Sequence, residues 1–258
     1  MCGRLVISEP DLSVFVEPFH VQQVDGAAHW QPRFNLAPTQ LAPLVTNEPA
    51  RRLSLARFGL IPSWAEDPRV ANRLINARSE AAPRSKVWKP ALLARRGVVP
   101  ATGYFEWRPS AHGKRPVFIH DPSGQALVLA AVWDQWRDSS GELIRSFALL
   151  TRSSEGFLRD IHTRMPCMLE ASAVEPWLAS STPATHELAS ILQAACHVER
   201  LAGRWVSTLA NSPRNDGPAC ITEASEPEPP NAAATARQLE LFDGIAAAPR
   251  PRRARTMR

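Results

Sequence analysis

The sequence predicts an α+β fold, on three observations. Short runs rich in β-branched and aromatic residues recur along the chain, set apart by Gly and Pro. The segments with helical patterning fall among them without the regular βαβ alternation of a doubly wound sheet. Hydrophobic residues make up 44% of the 258, enough for one sizeable core.

In order along the chain, Gly3 to Ile7 reads as a short strand. Ser8 reads as an N-cap, with Pro10 and Asp11 in the first turn of a helix through Leu12, Val14 and Phe15. A polar loop then runs to Arg33-Phe34-Asn35-Leu36-Ala37-Pro38. Leu41–Thr46 and Leu53–Phe58 read as paired strands about Asn47-Glu48-Pro49, and Pro43 places the first at a sheet edge. A second loop carries Gly59-Leu60-Ile61-Pro62-Ser63-Trp64 and Ile75-Asn76-Ala77-Arg78-Ser79-Glu80. Pro90 to Arg96 suits a short helix, with Pro90 in its first turn and Gly97 beyond its end. Val98–Trp107, Val117–His120, Ala126–Trp133 and Ser146–Leu150 read as an antiparallel meander. Ser154 caps a helix to Ile161, and Arg164–Leu169 is extended. Helices follow near Ala173–Leu178 and His186–Ala195, and a last strand near Trp205–Ser207.

From about Glu223 the composition turns to Pro, Ala, Glu and Arg, and Pro249 to Arg258 is strongly basic. Such a stretch buries too little apolar surface to fold, so the expected organisation is one domain over residues 2–222 and a disordered tail over 223–258. The net charge of +5 is carried by arginine far more than by lysine, and arginine's planar fork suits phosphate. Cys2, Cys167, Cys196 and Cys220 form no CxxC pair and no His/Cys ligand spacing, which argues against a zinc site and a disulfide framework. No signal peptide and no membrane-length apolar run is present, so a soluble protein of a reducing compartment, cytoplasmic, is expected. Nothing marks a dimer surface, and a monomer is expected.

The chemistry starts at Met1-Cys2-Gly3-Arg4. Removal of Met1 would leave Cys2 with an α-amine and a thiol on adjacent carbons, two nucleophiles with ordinary pKa values of about 7.7–8.0 and about 8.5. An aldehyde would form a Schiff base with the amine, and the thiol would close a five-membered thiazolidine. Glu106, among the aromatics of Gly103-Tyr104-Phe105-Glu106-Trp107, suits general acid–base work if an apolar surround raises its pKa; the same pattern fits a solvent-facing strand glutamate. His162, in Ile161-His162-Thr163-Arg164, is placed for proton transfer or oxyanion stabilisation, or is simply exposed. Asn35 and Asn76 are able to orient a carbonyl or hydroxyl, or to serve as turn residues. Arg4, Arg78 and Arg164 offer forks to phosphates.

Together, in this order, Met1–Arg4, Phe34–Pro38, Gly59–Trp64, Asn76–Glu80, Gly103–Trp107 and His162–Pro166 resemble the motifs of the SOS-response-associated peptidase (SRAP) family. Val206-Ser207 and Asn215-Asp216 are similar to its closing motif, so the resemblance covers roughly residues 2–221. It implies a compact domain with an antiparallel β-barrel-like core and a basic groove, binding of single-stranded DNA, and covalent capture of abasic sites through the N-terminal cysteine. Carried onto this chain, Cys2 is the double nucleophile, Asn76 positions the sugar, Glu106 assists proton transfer and His162 stabilises the reacting sugar. Arg4, Arg78 and Arg164 hold phosphates, while Asn35, Pro38 and Trp64 complete the strand-binding set. Weak strand-cleaving lyase activity is an expected companion. No metal or organic cofactor is implied.

The chain departs from the family at three places. Phe58 stands where tryptophan is frequent, Ala65 where a second aromatic follows Trp64, and Thr163 where an acid usually stands. Two rival readings are a thiol peptidase built on Cys2, His162 and Glu106, and a noncovalent DNA-binding module. In the tail, Gln238-Leu239-Glu240-Leu241-Phe242 resembles the peptide by which bacterial replication proteins dock on the sliding clamp. There Leu239, Leu241 and Phe242 would fill an apolar pocket and Gln238 would bond at its rim. Such docking implies a bacterial, nucleoid-associated protein.

Overall fold

The computed structural model describes residues 2–111, 113–181, 184–193 and 198–226. Thirteen strands are formed: β1 (Leu5–Ile7), β2 (Gln23–Asp25), β3 (Arg33–Leu36), β4 (Leu41–Thr46), β5 (Arg52–Phe58), β6 (Asn76–Arg78), β7 (Arg96–Ala101), β8 (Gly103–Ser110), β9 (Gly113–His120), β10 (Leu127–Arg137), β11 (Leu143–Ser153), β12 (Arg164–Pro166) and β13 (Ala202–Trp205). Three α-helices accompany them: α1 (Lys89–Ala94), α2 (Ala171–Leu178) and α3 (Thr185–Gln193).

β5, β4, β7, β10 and β11 pair in turn, and a parallel β11–β5 pairing (Ser146↔Arg57, Phe147↔Phe58) closes them into a five-stranded mixed barrel. β2, β6 and β12 extend this sheet. A second, antiparallel sheet runs β13-β9-β8-β1-β3. The α+β class and barrel core expected from the sequence are thus observed, with one correction: the barrel is mixed, because the closing pair is parallel.

β1 sits inside the second sheet and is buried on both faces. Leu5 and Ile7 join the main core; Val6 joins a smaller one with Phe105, Phe118, Val206, Ala210 and Cys220. Cys2 therefore lies just ahead of a strand packed on both faces.

Several boundaries differ from expectation. Val98–Trp107 is two strands, not one. The chain leaves the barrel after Ala101 and enters the second sheet at Gly103, where an added Cβ would meet the Ile119 carbonyl oxygen at 2.4 Å. The expected meander is split accordingly, with β8–β9 in one sheet and β10–β11 in the other. β4 lies between β5 and β7 rather than at an edge; its pairing with β7 spans only Val45 and Thr46, clear of Pro43. Arg33–Leu36 is a strand, not a loop. The first helix is a 3₁₀ turn, Leu12–Phe15, capped by Asp11, which accepts the Ser13 N–H. Ser8 instead bonds Thr102. Ser154 caps nothing; Glu155 precedes a 3₁₀ turn at Gly156–Asp160. Gly97 is a strand residue, where any Cβ would lie 2.8 Å from the Val45 carbonyl oxygen. The last strand ends at Trp205, and Val206 makes only a bridge to Glu223.

Candidate active site

Cys2 is fully buried at the head of β1. The carbonyl oxygen of Cys2 accepts a 2.8 Å hydrogen bond from Nδ2 of Asn76, the first residue of β6. β6 reaches this point because it lies parallel to β11, with Leu149 opposite Asn76 and Thr151 opposite Arg78. With Nδ2 so engaged, Asn76 Oδ1 is buried and has no hydrogen-bond partner among the described residues. An acceptor in that condition is waiting for a donor.

Glu106 lies on β8, two residues beyond Tyr104, which packs in the main core; strand periodicity turns Glu106 to that same side. It is 4% exposed, so the solvent-facing alternative is excluded. Burial pushes its carboxyl above the ordinary range, while the nearby His162 charge pulls it down. Its own charge acts on Cys2: burial first, then Glu106, push the thiol well above its usual value.

His162 stands between the 3₁₀ turn Gly156–Asp160 and β12. Its Nδ1 accepts the Arg164 backbone N–H at 2.9 Å. The same nitrogen lies 3.1 Å from the Arg164 carbonyl oxygen, so the Arg164 backbone fixes the ring. β12 pairs with β11 at Thr151, the residue that also faces β6; a strand residue has two edges, so β6 and β12 flank β11 on opposite sides. Residues 2, 76, 106 and 162 thus come from four elements to one place.

The residues expected to hold a strand are distributed around this point. Arg4 donates to Asn35 Oδ1 at 2.7 Å and to the Ala210 carbonyl at 3.0 Å, and its guanidinium lies 5.6 Å from the Trp107 ring centroid. Burial lowers the Arg4 pKa, though not enough to threaten an arginine's charge. Asn35 is fully buried, and its amide nitrogen serves the carbonyls of Ala210, Ser212 and Asn215. It holds Arg4 and the 210–215 segment and has no atom left for a strand.

The Pro38 turn, between β3 and β4, is tied to the end of β5, from which the Trp64 loop springs. Thr39 N–H donates to the Phe58 carbonyl at 2.7 Å, and Thr39 itself has φ +79°. Gly59, at φ +114°, then opens the loop; its N–H donates to the Phe147 carbonyl. Ser146 Oγ accepts the Ile61 N–H at 2.8 Å, Asp134 the Ser63 N–H at 3.0 Å, and Trp136 Nε1 donates to the Ala65 carbonyl at 2.7 Å. Between these anchors Trp64 is 62% exposed. Arg78 is exposed at the end of β6, whereas Arg164 is mostly covered and gripped by Glu80.

Sequence reasoning missed Glu80 and the Arg33–Asp216 pair, whose carboxylate also accepts the Phe34 and Asn35 N–H groups. It missed the Trp107–Asn211 hydrogen bond as well. The proximity of residues 34–35 and 215–216 in the expected motifs was the available signal. Among the described residues no cluster of His, Cys, Asp and Glu is fit to hold a metal ion, and no helix is long and apolar enough to cross a membrane. The clamp-like segment, Gln238 to Phe242, lies outside the described residues.

Three comparisons bear on this site. The abasic site processing protein YoqW of Bacillus subtilis is 29% identical over 223 residues, which is 86% of this chain and 99% of the relative. The abasic site processing protein YedK of Escherichia coli is 30% identical over 186 residues, 69% of this chain and 79% of the relative. A solved Bacteroides thetaiotaomicron structure superposes with a TM-score of 0.75 at 23% identity, over 87% of this chain and all of that one. Residues 1–213 match the family described as SOS response associated peptidase. With the motifs in order and the fold in agreement, the chain belongs to the SOS response associated peptidase (SRAP) family.

Proposed function

We propose that this protein captures abasic sites in single-stranded DNA as a covalent thiazolidine on Cys2, within the DNA-damage response. The observation that carries the reading is the convergence just described: Asn76 fastens Cys2 in place at 2.8 Å, with Glu106 near enough to act on the thiol and His162 near enough to act on Glu106. The names of the relatives, abasic site processing proteins, support the choice of lesion.

Once Met1 is removed, the α-amine of Cys2 attacks the ring-opened sugar aldehyde. The carbinolamine loses its hydroxyl as water with a proton from Glu106, and its N–H proton returns to Glu106 as the C=N bond is completed. The thiol sulfur then adds to the imine carbon while its S–H proton passes to the imine nitrogen, closing the ring with no other co-reactant. Burial suits Glu106 to this traffic, because a carboxyl raised above its ordinary range holds a proton that it can give up and take back. A sugar hydroxyl would supply Asn76 Oδ1 with its missing donor, and the His162 imidazole would stabilise the reacting sugar. Elimination from the imine would give weak lyase activity.

A thiol peptidase fits less well. Such an enzyme needs its thiol lowered toward thiolate, whereas burial and Glu106 raise Cys2. The test is denaturing electrophoresis with an oligonucleotide carrying one abasic site. A heat-stable, slow-migrating band with the wild type, absent with Cys2→Ala and with undamaged DNA, is expected. No band from protein whose Met1 is confirmed removed would sink the mechanism.

For the tail, we propose sliding-clamp docking through Gln238, Leu239, Leu241 and Phe242. Pull-down of purified clamp should be lost on deleting residues 227–258; retention would refute it.

A further inference from the structure

Arg164 is not an open phosphate fork in this structure. Its two terminal nitrogens donate to Glu80 Oε1 at 2.7 Å and Oε2 at 2.9 Å, a bidentate pair. Carboxylate and phosphate present the same two-oxygen face to a guanidinium, so Glu80 sits where a phosphate would sit. The two partners are unequally held. The Arg164 side chain is 15% exposed and is tethered from below by the carbonyl and hydroxyl oxygens of Thr151. Glu80 is 48% exposed, on the turn that follows β6. Arg164 is the fixed member and Glu80 the one free to leave.

A second arginine shares this carboxylate. Arg78 is exposed, and its side chain makes no hydrogen bond or ion pair among the described residues. Its charge nonetheless reaches Glu80. With Arg78 uncommitted beside the pair, a second anion meets positive charge there. The pair also adjoins the chemistry, since the Arg164 backbone N–H fixes the His162 ring.

Building on the DNA reading above, we propose that Glu80 is an internal phosphate mimic: it closes the Arg164 fork in the free protein and is displaced by a backbone phosphate of the captured strand. Glu80 is then a positioning residue that tunes affinity through Arg164. It keeps a buried-edge arginine aligned for a bidentate ligand, and it makes undamaged strands compete for that fork.

The experiment measures equilibrium binding of undamaged single-stranded DNA to the full chain, with Cys2→Ala throughout so that no adduct forms. Glu80→Gln retains size but replaces one of the two acceptor oxygens with a donor, which breaks the bidentate pair, and an unchanged melting temperature verifies its fold. The expected result is binding about 3- to 10-fold tighter than the Glu80 protein at low salt, the ordinary scale of one freed phosphate contact. In an Arg164→Met background the same Glu80→Gln change should have no effect. Weaker binding after Glu80→Gln would make Glu80 a permanent scaffold and overturn the proposal. An equal gain with and without Arg164 would reduce it to a general charge effect and overturn it too. Strand binding insensitive to Glu80 sinks this inference alone, whereas absence of DNA binding in every variant sinks the DNA reading with it.

Discussion

Glu106 is where burial and chemistry meet most directly. Its carboxyl is held above the ordinary range, so the folded state keeps a proton that the unfolded state has already lost. Stability therefore falls as pH rises through the interval between the ordinary carboxylate range and the elevated value. Glu106→Gln removes that loss. It should raise the melting temperature near neutral pH and give no gain in acid, a comparison two thermal scans supply. The same change should slow adduct formation by about 10²–10⁴-fold, the usual reach of general acid–base catalysis. A stabilised, inactive variant would mark Glu106 as kept for reaction at the expense of the fold. Asn35 is the opposite case. Asn35→Ala removes the acceptor for Arg4 and takes a donor away from three carbonyls, and should cost about 1–3 kcal/mol by urea denaturation.

At the scale of elements, Arg96 has no carboxylate partner among the described residues, yet it is fully buried. Its guanidinium donates to the carbonyls of Leu92 and Leu93 at the end of α1, and of Trp177, Ala179 and Ser181 at and beyond the end of α2. A cation at two helix C-termini satisfies orphan carbonyls and complements both dipoles. Arg96→Leu should destabilise by several kcal/mol, and Arg96→Lys should not rescue it, because a point charge cannot span five acceptors. The Trp64 loop shows the reverse design, a stiff base carrying an open tip. Trp64→Ala should leave the fold intact and weaken strand binding by about 1–3 kcal/mol, read by titration, while the Cys2 chemistry survives. Strands were readable where β-branched and aromatic residues ran together, as in β4, β5 and β10. The joints were not: nothing local to Val98–Trp107 announces a change of sheet at Thr102, because both halves are equally apolar. Pro43 misled for a related reason, since an edge was needed for only part of β4.

For the whole molecule, one core binds the barrel, the second sheet and the helices, and β1 ties the segment after Cys2 into it. The Pro-, Ala- and Arg-rich composition of residues 227–258 offers little apolar surface to bury. Deletion of residues 227–258 should then leave the melting temperature and adduct yield unchanged. The α+β class and the ordered family motifs that carry Cys2, Asn76, Glu106, His162 and Trp64 were legible by sequence alone. Composition and local pattern act over a few residues, and the ordered motifs name side chains whatever their spatial arrangement. What only the tertiary structure decided is which of these groups meet and which are already occupied. Asn35 became an anchor because residues 210–216 fold across it, and Arg164 acquired Glu80 because β6 and β12 flank the same strand. Those partners stand 84 and more residues apart in the chain, and such pairings are set by strand register and barrel closure, which no local pattern records.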